Sequence, residues 1–291
     1  MFEGTYVAMV TDFKNGEVDY EAASALVKRL VEAGVQGIVP AGCTGEAATL
    51  SFEERRRLIE VVLKARGSSD VKVIPGTGSN STSQTIDLTR MAEDLGADAA
   101  MLITPYYNKP TQAGLIRHYE TVASKVKLPI VLYNVPGRTG VNMMPETVAR
   151  LAEVDNIVAI KEASGSVDQV SRIASLCDIT ILSGDDSLTL PMLAVGARGV
   201  VSVVANLVPG EVARMVSAFL EGRTQEAREI HLRLLPLMHV LFIETNPCPV
   251  KAALRMIGHG TGEVRLPLVE VSEASKSKIE SVLQKLSLLG R

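Results

Sequence analysis

The segments Ile130-Val131-Leu132-Tyr133-Asn134 and Ile157-Val158-Ala159-Ile160-Lys161 decide the fold. Each is a short apolar run, rich in β-branched residues, that ends abruptly in side chains with chemistry to offer. A strand with one wet face alternates apolar and polar residues, whereas a strand buried on both faces of a parallel sheet does not. Parallel neighbours need a crossover between them, and Pro145 to Ala152 supplies an amphipathic helical stretch in that place. Working outward, the same unit recurs. Comparable runs stand at Tyr6 to Val10, Gly37 to Pro40, Val71 to Pro75, Ala99 to Thr104, Ile179 to Gly184 and Val200 to Val204.

The intervening stretches read as helices. From Tyr20 to Ala33 the residues Ala23, Leu26, Val27, Leu30 and Val31 form one apolar stripe, with Lys28, Arg29 and Glu32 elsewhere and Gly34 placed to end the helix. Ser51 followed by Glu54 is a capping box before Leu58, Ile59, Val62 and Leu63. Further amphipathic stretches run over Thr82 to Leu95, Gln112 to Ser124, Asp168 to Leu176, Ser187 to Val195 and Glu211 to Leu220. Eight strand–helix pairs predict an α/β fold of the (β/α)₈ TIM barrel type over residues 1–223. Past Gly222 the strand signal stops. Thr224 to Phe242, Pro249 to Ile257 and Glu270 to Leu289 predict a C-terminal helical appendage over 224–291, packed on the barrel or on a partner subunit.

Composition narrows the function classes. In 291 residues, 30 Lys and Arg stand against 33 Asp and Glu, so the basic excess that nucleic-acid binding requires is missing. No apolar run approaches the roughly 18 residues of a membrane span, and no basic stretch opens the chain. Cys43, Cys177 and Cys248 are widely spaced and odd in number, which suits a reducing cytoplasm rather than a disulfide framework. The four histidines lack metal-ligand spacing, so neither a protein-bound metal nor a metal-dependent aldolase is expected. Gly76-Thr77-Gly78-Ser79-Asn80-Ser81 lacks the third glycine of a dinucleotide fingerprint, and no nicotinamide cofactor is expected.

A barrel enzyme keeps its chemistry at the C-terminal ends of its strands. Lys161 ends its run among apolar neighbours, where desolvation disfavours the ammonium and leaves a free amine able to attack a carbonyl. A lysine leaving a strand end for water has the same sequence appearance. Tyr133 ends the preceding run, so adjacent parallel strands bring a phenol and an amine to one rim, and a phenol there can shuttle protons. It can equally be an aromatic packing residue. Arg138, in a loop with Gly137 and Gly140, offers a fork for a carboxylate, and Thr44 sits in a Gly-flanked loop able to hold an anion.

As a set, GCTGE (42–46), GTGSN (76–80), TPYYN (104–108), YNVPGRTG (133–140), IKEASG (160–165) and LSGDD (182–186) resemble the dihydrodipicolinate synthase family. That family includes N-acetylneuraminate lyase and 2-keto-3-deoxy sugar acid aldolases. The resemblance covers essentially the whole chain, including Asn246-Pro247-Cys248-Pro249-Val250-Lys251. It implies a class I lyase that condenses pyruvate with L-aspartate 4-semialdehyde on the diaminopimelate route to lysine. The covalent imine with Lys161 would stand in place of any cofactor. Thr44 would hold the pyruvate carboxylate, Tyr133 would relay protons, the Val201 carbonyl would orient the lysine, and Gly184 would line the pocket. Arg138 would hold the aldehyde's carboxylate. Tyr107 would cross a tight dimer interface into a neighbouring site, and such dimers would pair into a homotetramer.

Two departures stand out. Cys43 replaces the threonine that links the relay tyrosines in this family, and a thiol is a weaker hydrogen-bonding group than a hydroxyl. The positions that align with the family's lysine-feedback site are Ala47, Phe52, Arg55, Asn80, Gln84 and Tyr106. Polar contacts are lost at Ala47 and Phe52, and Gln84 replaces a carboxylate, so feedback by lysine is expected to be weak or absent. Two readings compete with the synthase: a pyruvate-dependent aldolase for a 2-keto-3-deoxy sugar acid, against which Arg138 argues, and a binding barrel that has lost its chemistry.

Overall fold

The computed structural model describes residues 2–290. Eight parallel strands, β1 (Gly4–Ala8), β2 (Gly37–Val39), β3 (Lys72–Val73), β4 (Ala100–Ile103), β5 (Ile130–Asn134), β6 (Ile157–Glu162), β7 (Thr180–Ser183) and β8 (Gly199–Ser202), follow one another round a single sheet. β1 pairs with both β2 and β8, so the first and last strands meet. The seam between β3 and β4 is closed by the Gly76–Met101 bridge and by Met101 N donating to Pro75 O at 2.9 Å and Thr77 N to Met101 O at 3.0 Å. The run expected over Val71 to Pro75 is therefore all wall: towards β2 Ile74 N and Gly76 N still donate to Ile38 O and Pro40 O at 2.9 Å, whereas towards β4 Pro75 has no N–H to give and only accepts. Gly76 is obligatory at this seam, since a Cβ there would lie 2.4 Å from the Ala41 carbonyl oxygen.

The expected helices cover the sheet: α1 (Tyr20–Glu32), α2 (Phe52–Arg66), α3 (Thr82–Asp94), α4 (Gln112–Ala123), α5 (Pro145–Leu151), α6 (Val167–Leu176), α7 (Thr189–Ala194) and α8 (Pro209–Leu220). α1 buries Ala23, Leu26, Val27 and Leu30 and stops before Gly34, whose φ of 77° terminates it. The capping box is formed, with Glu54 N donating to Ser51 Oγ at 3.2 Å and Ser51 N to Glu54 Oε2 at 2.8 Å. Three helices follow the barrel, α9 (Thr224–Val240), α10 (Cys248–Met256) and α11 (Glu273–Lys285). Leu234, Leu237, Met238, Val250, Leu254, Ile279 and Leu283 from them join the same apolar core as the barrel helices. No described helix is long and apolar enough to cross a membrane.

Besides the single 3₁₀ turns Ala47–Thr49 and Val204–Asn206, two elements escaped the reading by apolar runs. A hairpin joins Phe13–Lys14 to Glu17–Val18 through Asn15-Gly16, both at positive φ, which is the Asn-Gly turn of a tight hairpin. Pro136–Thr139 forms one helical turn, with proline at its start and Gly140 left-handed at its end. Both are set by turn chemistry rather than by apolar periodicity.

Candidate active site

β5 and β6 are in register so that Tyr133 lies directly beside Lys161, and Asn134 beside Glu162. The flanking pair locks the reacting pair. Asn134 Nδ2 donates to Glu162 Oε2 at 3.0 Å, Ser164 N donates to Glu162 Oε1 at 2.7 Å, and Met143 N donates to Asn134 Oδ1 at 2.9 Å. The two bonds of Asn134 are buried and that of Ser164 is part-buried, and together they leave both strand ends little freedom. Lys161 is only 5% exposed, and its Nζ stands 4.1 Å from the centroid of the Tyr133 ring.

Burial brings the Lys161 amine down to about 8, opposed by the neighbouring Cys43 and Asp186 and assisted by the Arg138 charge. Burial also pushes the Tyr133 phenol well above its ordinary value, with Cys43 adding to the rise and Arg138 opposing it. At neutral pH the pair is thus a phenol beside an amine that readily gives up its proton. Asp186 is buried, accepts from the Ser202 hydroxyl and from Val203 N (2.9 Å) and Val204 N (3.1 Å), and so ties the end of β7 to the end of β8. Its own pKa is raised by burial. Gly184 follows β7, and a Cβ there would stand 2.6 Å from Ala163 Cβ and 3.1 Å from Lys161 Cε, so only glycine leaves the lysine its room.

A cavity of about 330 Å³ opens at this end of the barrel, walled by Cys43, Met101, Ile103, Tyr133, Arg138 and Asn246, and extending to Arg55, Tyr106 and Leu268. Thr44 is buried, and its hydroxyl accepts from Asn246 Nδ2 at 3.0 Å, which leaves its own hydrogen free to donate. Arg138 Nη2 donates to the Asn246 carbonyl oxygen at 3.1 Å. Val201 is buried on β8, two strands from Lys161. Tyr107 stands apart: it is 89% exposed, at φ 72°, and outside the cavity wall of its own chain.

The structure therefore brings Cys43, Tyr133 and Arg138 to the cavity wall, sets Lys161 against Tyr133, Thr44 against Asn246 and Gly184 against Lys161 directly behind it, and leaves Tyr107 exposed and apart. Asp186 and Asn246 join them, although strand-end reading gave neither a role. Asp186 follows the LSG run, and Asn246 belongs to the distinctive Asn-Pro-Cys-Pro segment, so a signal was present for each.

An eight-stranded barrel with a desolvated lysine beside a buried tyrosine at the C-terminal rim of its strands defines a class I, Schiff-base carbon–carbon lyase. The dihydrodipicolinate synthetase family matches residues 1–286. The 4-hydroxy-tetrahydrodipicolinate synthase of Geotalea uraniireducens is 54% identical, with 99% of this chain and 100% of that one covered. Among solved structures, the dihydrodipicolinate synthase of Aquifex aeolicus is 48% identical over 100% of both chains, with a TM-score of 0.97. The enzyme of Cyanidioschyzon merolae, described with lysine bound, is 42% identical over 99% of both chains, also at 0.97. The chain belongs to the dihydrodipicolinate synthetase family.

Proposed function

We propose that the chain is a 4-hydroxy-tetrahydrodipicolinate synthase, condensing pyruvate with L-aspartate 4-semialdehyde through an imine on Lys161. The observation that carries the chemistry is the Tyr133–Lys161 register pair, with the amine held near 8 by burial. The substrate assignment rests on Arg138 at the cavity wall and on the likeness to synthases over the full chain.

The free amine of Lys161 adds to C2 of pyruvate, and loss of water gives the iminium. Thr44, with its hydrogen free, donates to the pyruvate carboxylate. Loss of a C3 proton gives the enamine, whose C3 attacks the aldehyde carbon while the aldehyde oxygen takes a proton. Tyr133, against the lysine, carries these protons. Attack by the substrate's own amine on the imine carbon then closes the ring and returns Lys161. Arg138 holds the aldehyde's carboxylate, Gly184 leaves space beside the lysine, and the Val201 carbonyl orients the lysine region. Cys43 stands where it passes protons between tyrosines. The exposed Tyr107 reaches a neighbouring subunit's site across a tight dimer, with two dimers making a tetramer and the reaction taking place in the cytoplasm.

The test is pyruvate-dependent consumption of L-aspartate 4-semialdehyde by purified protein, with borohydride trapping of pyruvate alongside. Lys161→Ala loses turnover by about 10⁴-fold or more and traps no adduct. Trapping without turnover on this aldehyde, together with cleavage of a 2-keto-3-deoxy sugar acid, would transfer the assignment to that aldolase.

A further inference from the structure

The most completely buried ion pair among the described residues lies outside the reacting group. Lys251 on α10 and Glu46 at the end of the Gly42–Glu46 loop form an ion pair at 2.6 Å, with their side chains 0% and 1% exposed. Each is fully engaged. Lys251 Nζ also donates to Thr11 O at 2.7 Å and stands 4.3 Å from the centroid of the Phe13 ring. The second carboxylate oxygen of Glu46 accepts from Arg265 N at 3.1 Å. A buried pair of this kind gains little stability over apolar residues of the same shape, because both ions are stripped of water. Its value lies in fixing geometry.

The geometry it fixes is that of the loop carrying Cys43 and Thr44. Glu46 is left-handed at φ 52°, a conformation a non-glycine residue adopts only when its surroundings impose it. The same loop is pinned by Thr11 Oγ1 donating to Gly45 O at 2.8 Å, and Thr11 is also the residue whose carbonyl takes the Lys251 ammonium. Ahead of the helix that carries Lys251, Asn246 bonds Thr44 with its side chain and Arg138 with its carbonyl. The segment from Asn246 to Lys251 thus holds the loop at both its hydroxyl and its carboxylate.

We propose that the Glu46–Lys251 pair is a positioning clamp through which the C-terminal helices set the Thr44 hydroxyl for capture of the pyruvate carboxylate. The inference rests on the reading of Thr44 as that carboxylate's donor. Glu46 contributes to the cavity wall, but its carboxylate is taken up by Lys251 Nζ and Arg265 N, and Lys251 lies outside the wall. Their removal moves pyruvate affinity and leaves the chemistry of Lys161 in place.

The experiment compares Glu46→Leu/Lys251→Met, which replaces the pair by apolar side chains of similar size, with Glu46→Asp, which keeps the charge and shortens the reach. The full-length protein is used, and circular dichroism and the melting transition verify folding. In the folded double variant the KM for pyruvate rises about tenfold, as displacement of a binding group demands. The borohydride-trapping rate at saturating pyruvate stays within about twofold. Glu46→Asp raises the same KM by about threefold and decides the question if the double variant does not fold. Thr44→Ala made in both backgrounds separates the two ideas: it raises the pyruvate KM in the parent and adds little once the clamp is gone. A folded double variant or Glu46→Asp protein with an unchanged pyruvate KM overturns the clamp. An unchanged KM in Thr44→Ala alone overturns the reading of Thr44, and the clamp's purpose with it.

Discussion

Two parts of the cavity rim are built in different ways. Tyr133 and Lys161 stand on adjacent strands, and their meeting is a consequence of strand register, sealed by the Asn134–Glu162 bonds beneath them. Thr44 and Cys43 stand on a loop and Arg138 on the single turn Pro136–Thr139, and bonds from the far end of the chain, through Asn246 and Lys251, hold Thr44, Arg138 and the Glu46 end of that loop. In the proposed reaction the strand-borne pair makes the bond to pyruvate, and the loop-borne groups hold what pyruvate and its partner carry besides their carbonyls. Chemistry placed on the sheet withstands loop changes, and substrate choice placed on loops can vary without unmaking the nucleophile.

If that division holds, disabling a loop residue must leave imine formation intact. Arg138→Ala is the sharpest break. It removes a charged donor that also bonds the Asn246 carbonyl. Loss of a charge-assisted hydrogen bond costs about 2 kcal/mol, so kcat/KM for L-aspartate 4-semialdehyde falls about 30-fold. At pH 9, where most of the amine is free, the rate of pyruvate trapping by borohydride stays within about twofold of the parent. Equal loss in both assays would show that the loop supports the nucleophile after all.

The strand-borne pair is probed by pH. With the Lys161 amine near 8, only about a tenth of it is free base at pH 7. The imine-forming rate therefore rises about tenfold between pH 7 and pH 9 and levels off above the pKa. The direction follows from the form that reacts: the proton lost as pH rises uncovers the nucleophile. Arg138→Ala removes a positive charge that holds the amine down, so the midpoint moves upward in that variant. Quenched-flow trapping from pH 6 to 9 reads both effects, and a flat profile would count against a desolvated nucleophile.

The same division explains how much was legible in the sequence. The strands and the Lys161–Tyr133 pair were readable because a doubly buried strand has an unbroken apolar run, and its end marks the rim. The hairpin at Asn15-Gly16 and the turn at Pro136–Thr139 were missed because apolar periodicity is silent where turn residues decide. The Asn-Pro-Cys-Pro pattern marks Asn246 as unusual, but no local pattern gives it or Lys251 a partner. Their partners Thr44 and Glu46 lie 202 and 205 positions away, and only the closed barrel with its helical appendage brings them together. The family resemblance drew the loop residues Thr44 and Arg138 into the site without showing what supports them.

Cys43 tests whether a loop group can influence the strand-borne pair. The thiol acts on the titration of both Tyr133 and Lys161, and it is half-buried at the cavity wall. Cys43→Thr restores a hydroxyl, a better proton carrier than a thiol. Because water can bridge a half-open position, the gain is small, about two- to threefold in kcat with the pyruvate KM unchanged. A larger increase would make the thiol the slow link of the relay.

The smallest effect is expected where the cavity runs furthest from the strands. There Arg55 Nη2 donates to Ala47 O at 2.7 Å, and no carboxylate stands within ion-pairing distance of its guanidinium among the described residues. Gln84 turns its Oε1 to the Ser79 hydroxyl. A lysine ammonium brought here meets a cation, and the carboxylate at this wall, Glu46, is already engaged by Lys251 and Arg265 N; like charges repel most strongly where water is scarce. Free lysine at about millimolar concentration therefore gives no titration heat and lowers turnover by less than about twofold. Micromolar binding would mean that a second copy of the chain supplies the missing negative charge, and this end of the cavity would then belong to the interface rather than to either loop.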